Sequence, residues 1–122
     1  MDRSRFEDLV RDAIDGLPAE FASHLENVAV IVEDEPGPEL LRSLGLDPRR
    51  DTLFGLYQGV PLDERGDNSS TGPPDTIRLY YRPLRRACRT PERLRLEIRK
   101  TLIHEVAHYF GMRDDEIERL GY

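Results

Sequence analysis

The chain has one cysteine and no long hydrophobic run. A lone Cys88 cannot form an intramolecular disulfide bond, which excludes a disulfide-stabilised fold and a cysteine-rich metal site. We therefore interpret Cys88 as a small buried hydrophobic residue. No apolar stretch approaches the roughly 20 residues of a membrane-spanning helix, and the acidic first residues lack the apolar segment of a secretory signal. These absences predict a cytoplasmic protein without a membrane partner.

A positive net charge is also lacking, because the formal net charge is −6. Affinity for phosphate depends on summed positive charge, so we expect no nucleic-acid partner. Nine arginines and lysines nevertheless fall between Arg78 and Lys100. This basic stretch indicates either a solvated face or a surface for an anionic partner. The 122 residues, 38% hydrophobic and 34% charged, predict one folded domain over residues 1–122, with the oligomeric state left open.

Apolar periodicity switches between helical and strand spacing along the chain, which predicts an α+β fold. The first half is predicted to contain a helix opened by a capping box of Ser4 and Glu7 and ended by Gly16, a short helix after Pro18, a central strand at Val28–Val32, and a short helix at Pro38–Leu44. A strand at Leu53–Val60, weakened by Gly55 and Gly59, and a long loop at residues 61–75 follow. The last part is predicted to contain a half-buried strand near a sheet edge at Ile77–Tyr81, a turn at Leu84–Cys88, a long helix from Pro91 to Phe110 capped by Thr90, and a last short helix capped by Asp114.

The long helix ends in the segment HEVAHYFGMRD, which carries the chemistry. His104 and His108 are four residues apart, so both imidazoles project from one helix face, one turn apart, preset for a single metal ion. Glu105 lies about 60° around the helix axis from His108. A carboxylate displaced in this way from the two ligands is placed as a general base for a water molecule on the metal.

A third ligand is expected just beyond this helix. Gly111 permits a backbone turn with positive φ, so the chain can swing back towards the two histidines. Asp114 then arrives six residues after His108 and can complete three protein ligands, leaving a fourth position for water as in catalytic zinc sites. Asp115, Glu116 and Glu118 are the alternative ligands, and Asp114 has a competing role as helix cap.

These residues resemble the zincin metallopeptidases. The extended pattern HExxHxxGxxD, with the order helix, strand, helix, strands and active-site helix, is similar to the minimal-zincin group of small bacterial neutral zinc metallopeptidases. The resemblance implies a few-stranded mixed sheet packed on helices, with Zn bound by His104, His108 and Asp114 and water activated by Glu105. The chain departs from metzincins, which carry a third histidine at the place of Asp114.

The resemblance also implies how a peptide binds. Zincins pair an extended substrate with a sheet edge, and the strand at Ile77–Tyr81 is the expected edge here. Tyr122 and Tyr80 are candidates for stabilising the oxyanion, with packing as the alternative role of Tyr80. His24 is expected to be an ordinary surface histidine.

Two functional hypotheses follow. The first is a zinc-dependent hydrolase, a peptidase acting on short or extended segments of peptide or protein substrates through Glu105. The second is a catalytically silent zinc-binding module that docks a partner protein through the basic face. Glu105 favours the enzyme, because a purely structural zinc site has no use for a base beside its ligands.

Overall fold

The computed structural model describes residues 1–59 and 75–122. The long loop predicted at residues 61–75 therefore lies outside the described residues, apart from Asp75. The elements in these ranges are α1 (Arg3–Asp15), α2 (Ala19–Ala22) with a 3₁₀ turn (Ser23–Leu25), β1 (Val28–Glu33), α3 (Pro38–Ser43), β2 (Gly55–Gln58), β3 (Asp75–Tyr80), α4 (Tyr81–Ala87), α5 (Pro91–Tyr109) and α6 (Asp114–Arg119). The molecule is thus an α+β fold, as the sequence predicts.

Helix α1 begins two residues earlier than its predicted capping box. The Asp2 side chain accepts a hydrogen bond from the backbone N–H of Arg5 at 2.9 Å, so Asp2 is the N-cap and Ser4 lies inside the helix. Because the helix already begins at Arg3, Ser4 lies in its first turn and does not occupy the cap position. The predicted end at Gly16 is confirmed.

The described strands form one mixed sheet in the order β1-β3-β2. Strand β1 runs parallel to β3, and β2 runs antiparallel to it. The predicted roles of the first and third strands are therefore reversed, because β3 is central and β1 lies at an edge. Central β3 tolerates Arg78 because its guanidinium donates to Glu33, 2.7 Å away, and to Gln58 on the other flanking strand.

The predicted turn at Leu84–Cys88 is largely part of a helix, α4. Pro83 does not break it, because proline is tolerated in a first turn where its missing N–H has no helical partner. Cys88 follows this helix and is buried, as predicted. Burial raises the pKa of its thiol.

The core lies between the sheet and helices α1 and α5. Apolar side chains of the three elements pack together there: Phe6, Val10, Ala13, Ile77, Leu79, Leu94, Ile98, Leu102, Ile103 and Val106. The helical periodicity predicts Phe110 in the buried stripe of α5, but Phe110 is 52% exposed, because α5 ends at Tyr109 and the chain turns away. No helix among the described residues is long and apolar enough to cross a membrane.

Candidate active site

The two motif histidines lie in the last turns of α5. Thr90 caps this helix as predicted, accepting from the N–H of Arg93, and the buried stripe of α5 fixes its rotation against the core. His104 and His108 therefore project together, with ring centroids 5.9 Å apart. His104 is the more buried, with 23% of its side chain exposed against 45% for His108. The partial exposure leaves both rings accessible to a metal ion.

The turn after α5 brings Asp114 back to the histidines. Gly111 has φ +87°, as predicted, and the N–H of Met112 donates to the Ala107 carbonyl at 2.9 Å to close the helix end. Asp114 is the first residue of α6 and not its cap, because Arg113 occupies the cap position. Its carboxylate is thus free of the predicted capping bond and lies beside the imidazoles.

His104, His108 and Asp114 offer three potential ligand atoms within 4.8 Å of one another. Oδ1 of Asp114 lies 2.6 Å from Nε2 of His108 and 3.9 Å from Nδ1 of His104. Ligand atoms of a tetrahedral zinc ion, with bonds of about 2.0–2.1 Å, are roughly 3.3 Å apart. The observed separations bracket this value, and two imidazoles with one carboxylate form a donor set that suits zinc. The residues fit the ion, and their assignment as ligands stays a prediction.

A main-chain oxygen orients the first histidine. Nε2 of His104 lies 3.2 Å from the main-chain oxygen of Tyr122, so an Nε2–H donates there and the lone pair of Nδ1 remains for a metal. Hydrogen bonds of this kind fix the tautomer and rotation of ligating histidines. The ring of Tyr122 packs edge-on against Phe21, with centroids 5.2 Å apart.

Glu105 is partly buried beside this set. Its Oε2 accepts a hydrogen bond from the backbone N–H of Tyr57 in β2, at 3.1 Å. Burial raises the pKa of Glu105, against smaller lowering effects of the Tyr57 hydrogen bond and of His108 and His104. Burial thus makes the Glu105 carboxylate a stronger proton acceptor than an exposed one.

Two of the three alternative third ligands, Asp115 and Glu116, have other partners. Asp115 lies 3.3 Å from Nε of Arg113 and 3.2 Å from Nη2 of Arg119. Glu116 lies 3.1 Å from the same Arg113 Nε. These ion pairs hold both carboxylates on the exposed side of α6, so Asp114 remains the best-placed acid.

The two tyrosines predicted for the oxyanion are not placed for it. Tyr80 is fully buried, its hydroxyl has no hydrogen-bond partner among the described residues, and burial raises its pKa. The hydroxyl of Tyr122 lies 3.4 Å from Oε1 of Glu20 in α2, and it is the main-chain oxygen of Tyr122 that lies at His104. His24 is exposed and its ring packs on Phe110, with centroids 4.3 Å apart.

The basic stretch is partly neutralised by neighbouring acids. Arg78 pairs with Glu33, and Arg86 pairs with Glu35. The remaining arginines and the lysine of the stretch have no ion pair within 4 Å among the described residues. The stretch is therefore a mixture of paired and solvated cations.

Sequence reasoning missed Tyr57. Its backbone amide contacts Glu105, although 48 positions separate the two residues. Its ring also stacks on Tyr109, with centroids 4.0 Å apart and planes 20° from parallel. No motif signals such a contact, because a backbone N–H is present at almost every residue.

Comparison with known proteins identifies the family of this chain. A family model described as zincin-like metallopeptidase matches residues 25–122. The chain belongs to the zincin-like metallopeptidase family. This zincin-like chain also shares its fold with the solved structure of a conserved hypothetical protein from Thermus thermophilus, at 24% identity and a TM-score of 0.59, over 89% of this chain and 94% of that one. A comparison with curated proteins gives no match.

Proposed function

We propose that this zincin-like chain is a zinc-dependent peptidase that hydrolyses short or extended peptides, with Glu105 as its general base. One observation carries the proposal: a partly buried carboxylate lies next in sequence to His104, whose ring nitrogen lies within 4.8 Å of potential ligand atoms of His108 and Asp114. Family membership supports zinc and peptide hydrolysis in general. The substrate and the activity itself belong to the proposal.

When bound, zinc supplies a Lewis acid that polarises the scissile carbonyl and increases the acidity of water. His104, His108 and Asp114 would hold it, with His104 oriented by the main-chain oxygen of Tyr122. Oε2 of Glu105 is held by the Tyr57 amide, and we assign Oε1 to take the proton from the attacking water. Glu105 then donates this proton to the leaving amine.

The expected position of the peptide changes with the sheet order. Central β3 is paired on both sides, so it cannot add a further strand. Strand β2 is the strand whose backbone contacts the base, because the Tyr57 N–H donates to Glu105 at 3.1 Å. We therefore propose that an extended peptide lies beside β2, where the scissile carbonyl can reach both the base and the metal ligands.

The test compares wild type with Glu105→Gln on a mixed peptide library, with zinc content measured on the same preparations. The amide keeps the shape of the side chain but cannot take a proton, so we expect full zinc content and a loss of roughly 10²-fold to 10⁴-fold in rate. Glu92→Gln is the matched control, because this exposed residue lies at the other end of the same helix.

Equal cleavage by wild type and Glu105→Gln would show that the activity comes from a contaminant. Stoichiometric zinc without cleavage by either protein would favour the silent zinc-binding module that docks a partner. Absence of zinc in wild type would contradict both functions.

A further inference from the structure

Helix α5 and strand β2 meet through three regularly spaced pairs of residues. Every fourth residue of the helix lies against every second residue of the strand, and the last pair uses Gly59, which directly follows the strand. Four helical residues advance about 6 Å and two strand residues about 6.6 Å, so the two spacings match. The three pairs, which we name the contact row, are Thr101 with Gly55, Glu105 with Tyr57, and Tyr109 with Gly59.

In the first pair, the side chain of Thr101 lies close to the backbone of Gly55. A Cβ atom at Gly55 would lie 2.8 Å from Cγ2 of Thr101 and 3.0 Å from the carbonyl oxygen of Arg78. The hydroxyl of Thr101 donates to the Glu97 carbonyl at 2.8 Å, which leaves its methyl group facing the strand. Only glycine fits at position 55 without moving the helix or the sheet.

The last pair repeats this arrangement with an aromatic ring. A Cβ atom at Gly59 would lie 2.4 Å from the Tyr109 hydroxyl oxygen and 2.7 Å from its Cε2. The same ring stacks on Tyr57, whose hydroxyl donates to Asp75 at 2.8 Å. Tyr109 is thus held between Tyr57 and the backbone of Gly59, and Tyr57 is tied in turn to the first residue of β3.

The middle pair contains the base. The Tyr57 amide donates to Oε2 of Glu105 at 3.1 Å, and the two flanking pairs contact the strand on either side of this hydrogen bond. We propose that Tyr109 and Gly59, with Gly55, are positioning residues that set the Glu105 carboxylate for proton transfer. The inference rests on the proposed function for its catalytic consequence, while the contact itself can be measured without any activity.

The test substitutes Gly59→Ala, which places a methyl group against the Tyr109 ring. We expect the methyl group to displace the Tyr109 ring from Tyr57, so that amide hydrogen exchange at Tyr57 becomes roughly fivefold faster, the effect of losing one net hydrogen bond. Zinc content should be unchanged. A shift of roughly 1 Å in a catalytic group costs up to about hundredfold in turnover, so we expect kcat to fall about tenfold to hundredfold while KM stays constant.

Three further variants keep the test decisive. Gly37→Ala is the matched control, because Gly37 has φ −69° and an added methyl group there would have no atom within 4 Å. Tyr109→Phe keeps the stacked ring and should preserve the Tyr57 exchange rate and kcat. Tyr109→Leu removes the stack and should reproduce the effect of Gly59→Ala. In that background Gly59→Ala should add little, because the ring it displaces is gone.

The outcomes separate the two proposals. If wild type cleaves no peptide but Tyr57 exchange responds to Gly59→Ala and to Glu105→Ala, the proposed function fails and the contact row stands as a structural device. If wild type cleaves peptides while Gly59→Ala and Tyr109→Leu leave kcat unchanged, the positioning role is wrong. Fully additive effects of the two substitutions on Tyr57 exchange would also overturn it.

Discussion

The two edge strands of the sheet differ in how strongly their sequences favour a strand and in which charged side chain contacts them. Strand β1 has six residues, with the apolar run VAVIV, and β2 has four residues that begin with glycine. Each edge receives a charged side chain: Arg3 donates to the Val32 carbonyl at 2.5 Å, and Glu105 accepts from the Tyr57 amide at 3.1 Å. Arg3 is largely exposed, whereas Glu105 is partly buried beside two histidines. The strand with the weaker sequence signal is the one that borders the candidate active site.

The difference has a physical origin. A β-branched run stabilises a strand by packing, but its side chains also keep other backbones away. Glycine gives up that packing and permits a helix to approach closely. Strand β2 therefore has less side-chain packing of its own but lies closer to α5. The following substitutions test this difference between the two edges.

Among substitutions near β2, replacement of a motif histidine should have the largest effect, on zinc binding. We expect His108→Ala or His104→Ala to abolish stoichiometric zinc binding, because each removes one of three grouped donors. Metal analysis after dialysis against zinc measures this directly. His24→Ala is the control, and its zinc content should match wild type. Zinc retained by a His104→Ala, His108→Ala double variant would contradict the proposed site.

Asp114→Ala should have the next largest effect. Removal of a direct ligand should lower the affinity for zinc by more than the roughly tenfold to hundredfold caused by loss of a residue that contacts a ligand. Asp115→Ala should have a smaller effect, because Asp115 pairs with Arg113 and Arg119 and not with a histidine. Competition with a chelator ranks the two variants, and the reverse order would move the third ligand to Asp115.

Gly55→Ala tests the close approach of helix and strand. The added methyl group would meet Thr101 and the Arg78 carbonyl, so we expect a loss of about 1–3 kcal/mol in the free energy of unfolding. Urea denaturation measures the loss. Gly37→Ala should stay within about 0.5 kcal/mol of wild type. Equal stability of both variants would show that β2 and α5 are not closely packed.

Glu105→Gln should stabilise the metal-free protein at neutral pH. Burial raises the pKa of Glu105 above its ordinary value of 4.5, so the folded state binds this proton more tightly than the unfolded state. Stability of wild type therefore falls as pH rises from that value through the folded-state pKa. Glutamine does not titrate, so the variant does not lose stability in this pH range. It should be more stable than wild type above the range, and the difference should vanish below it. An advantage that grows towards acid pH would contradict the raised pKa.

Arg3→Met should have the smallest effect, because it changes only the β1 edge. The ion pair of Arg3 with Asp34 is largely exposed, and such pairs contribute about 0–1 kcal/mol. Thermal and urea unfolding should shift accordingly, with zinc content unchanged. A loss of zinc on this substitution would show that the two edges are coupled.

Local patterns in the sequence predict much of this molecule. The i, i+4 histidines, the positive φ at Gly111 and the buried stripe of α5 depend on neighbours within one or two helical turns. The same is true of the Thr90 cap. Where a competing local acceptor exists, as with Asp2 against Ser4, even a cap is misassigned.

Strand order could not be predicted in this way. The alternation of Arg78 with Ile77 and Leu79 indicates one polar face, which suits an edge strand and equally a central strand with a solvated face. Arg78 is satisfied by Glu33 on one neighbour and Gln58 on the other, partners distant in sequence. The closeness of Gly55 and Gly59 to α5 was hidden for the same reason, because a glycine does not reveal what approaches it.

The short helix that supplies Asp114 has one buried side chain, Ile117, which is fully enclosed. A helix of six residues has little stability of its own, so Ile117 and its packing determine where this carboxylate lies. In the proposed zinc site, retention of the ion would therefore depend on a buried hydrophobic residue that is not itself a ligand. We expect substitutions at Ile117 to change the rate of metal exchange while His104, His108 and Asp114 stay the same.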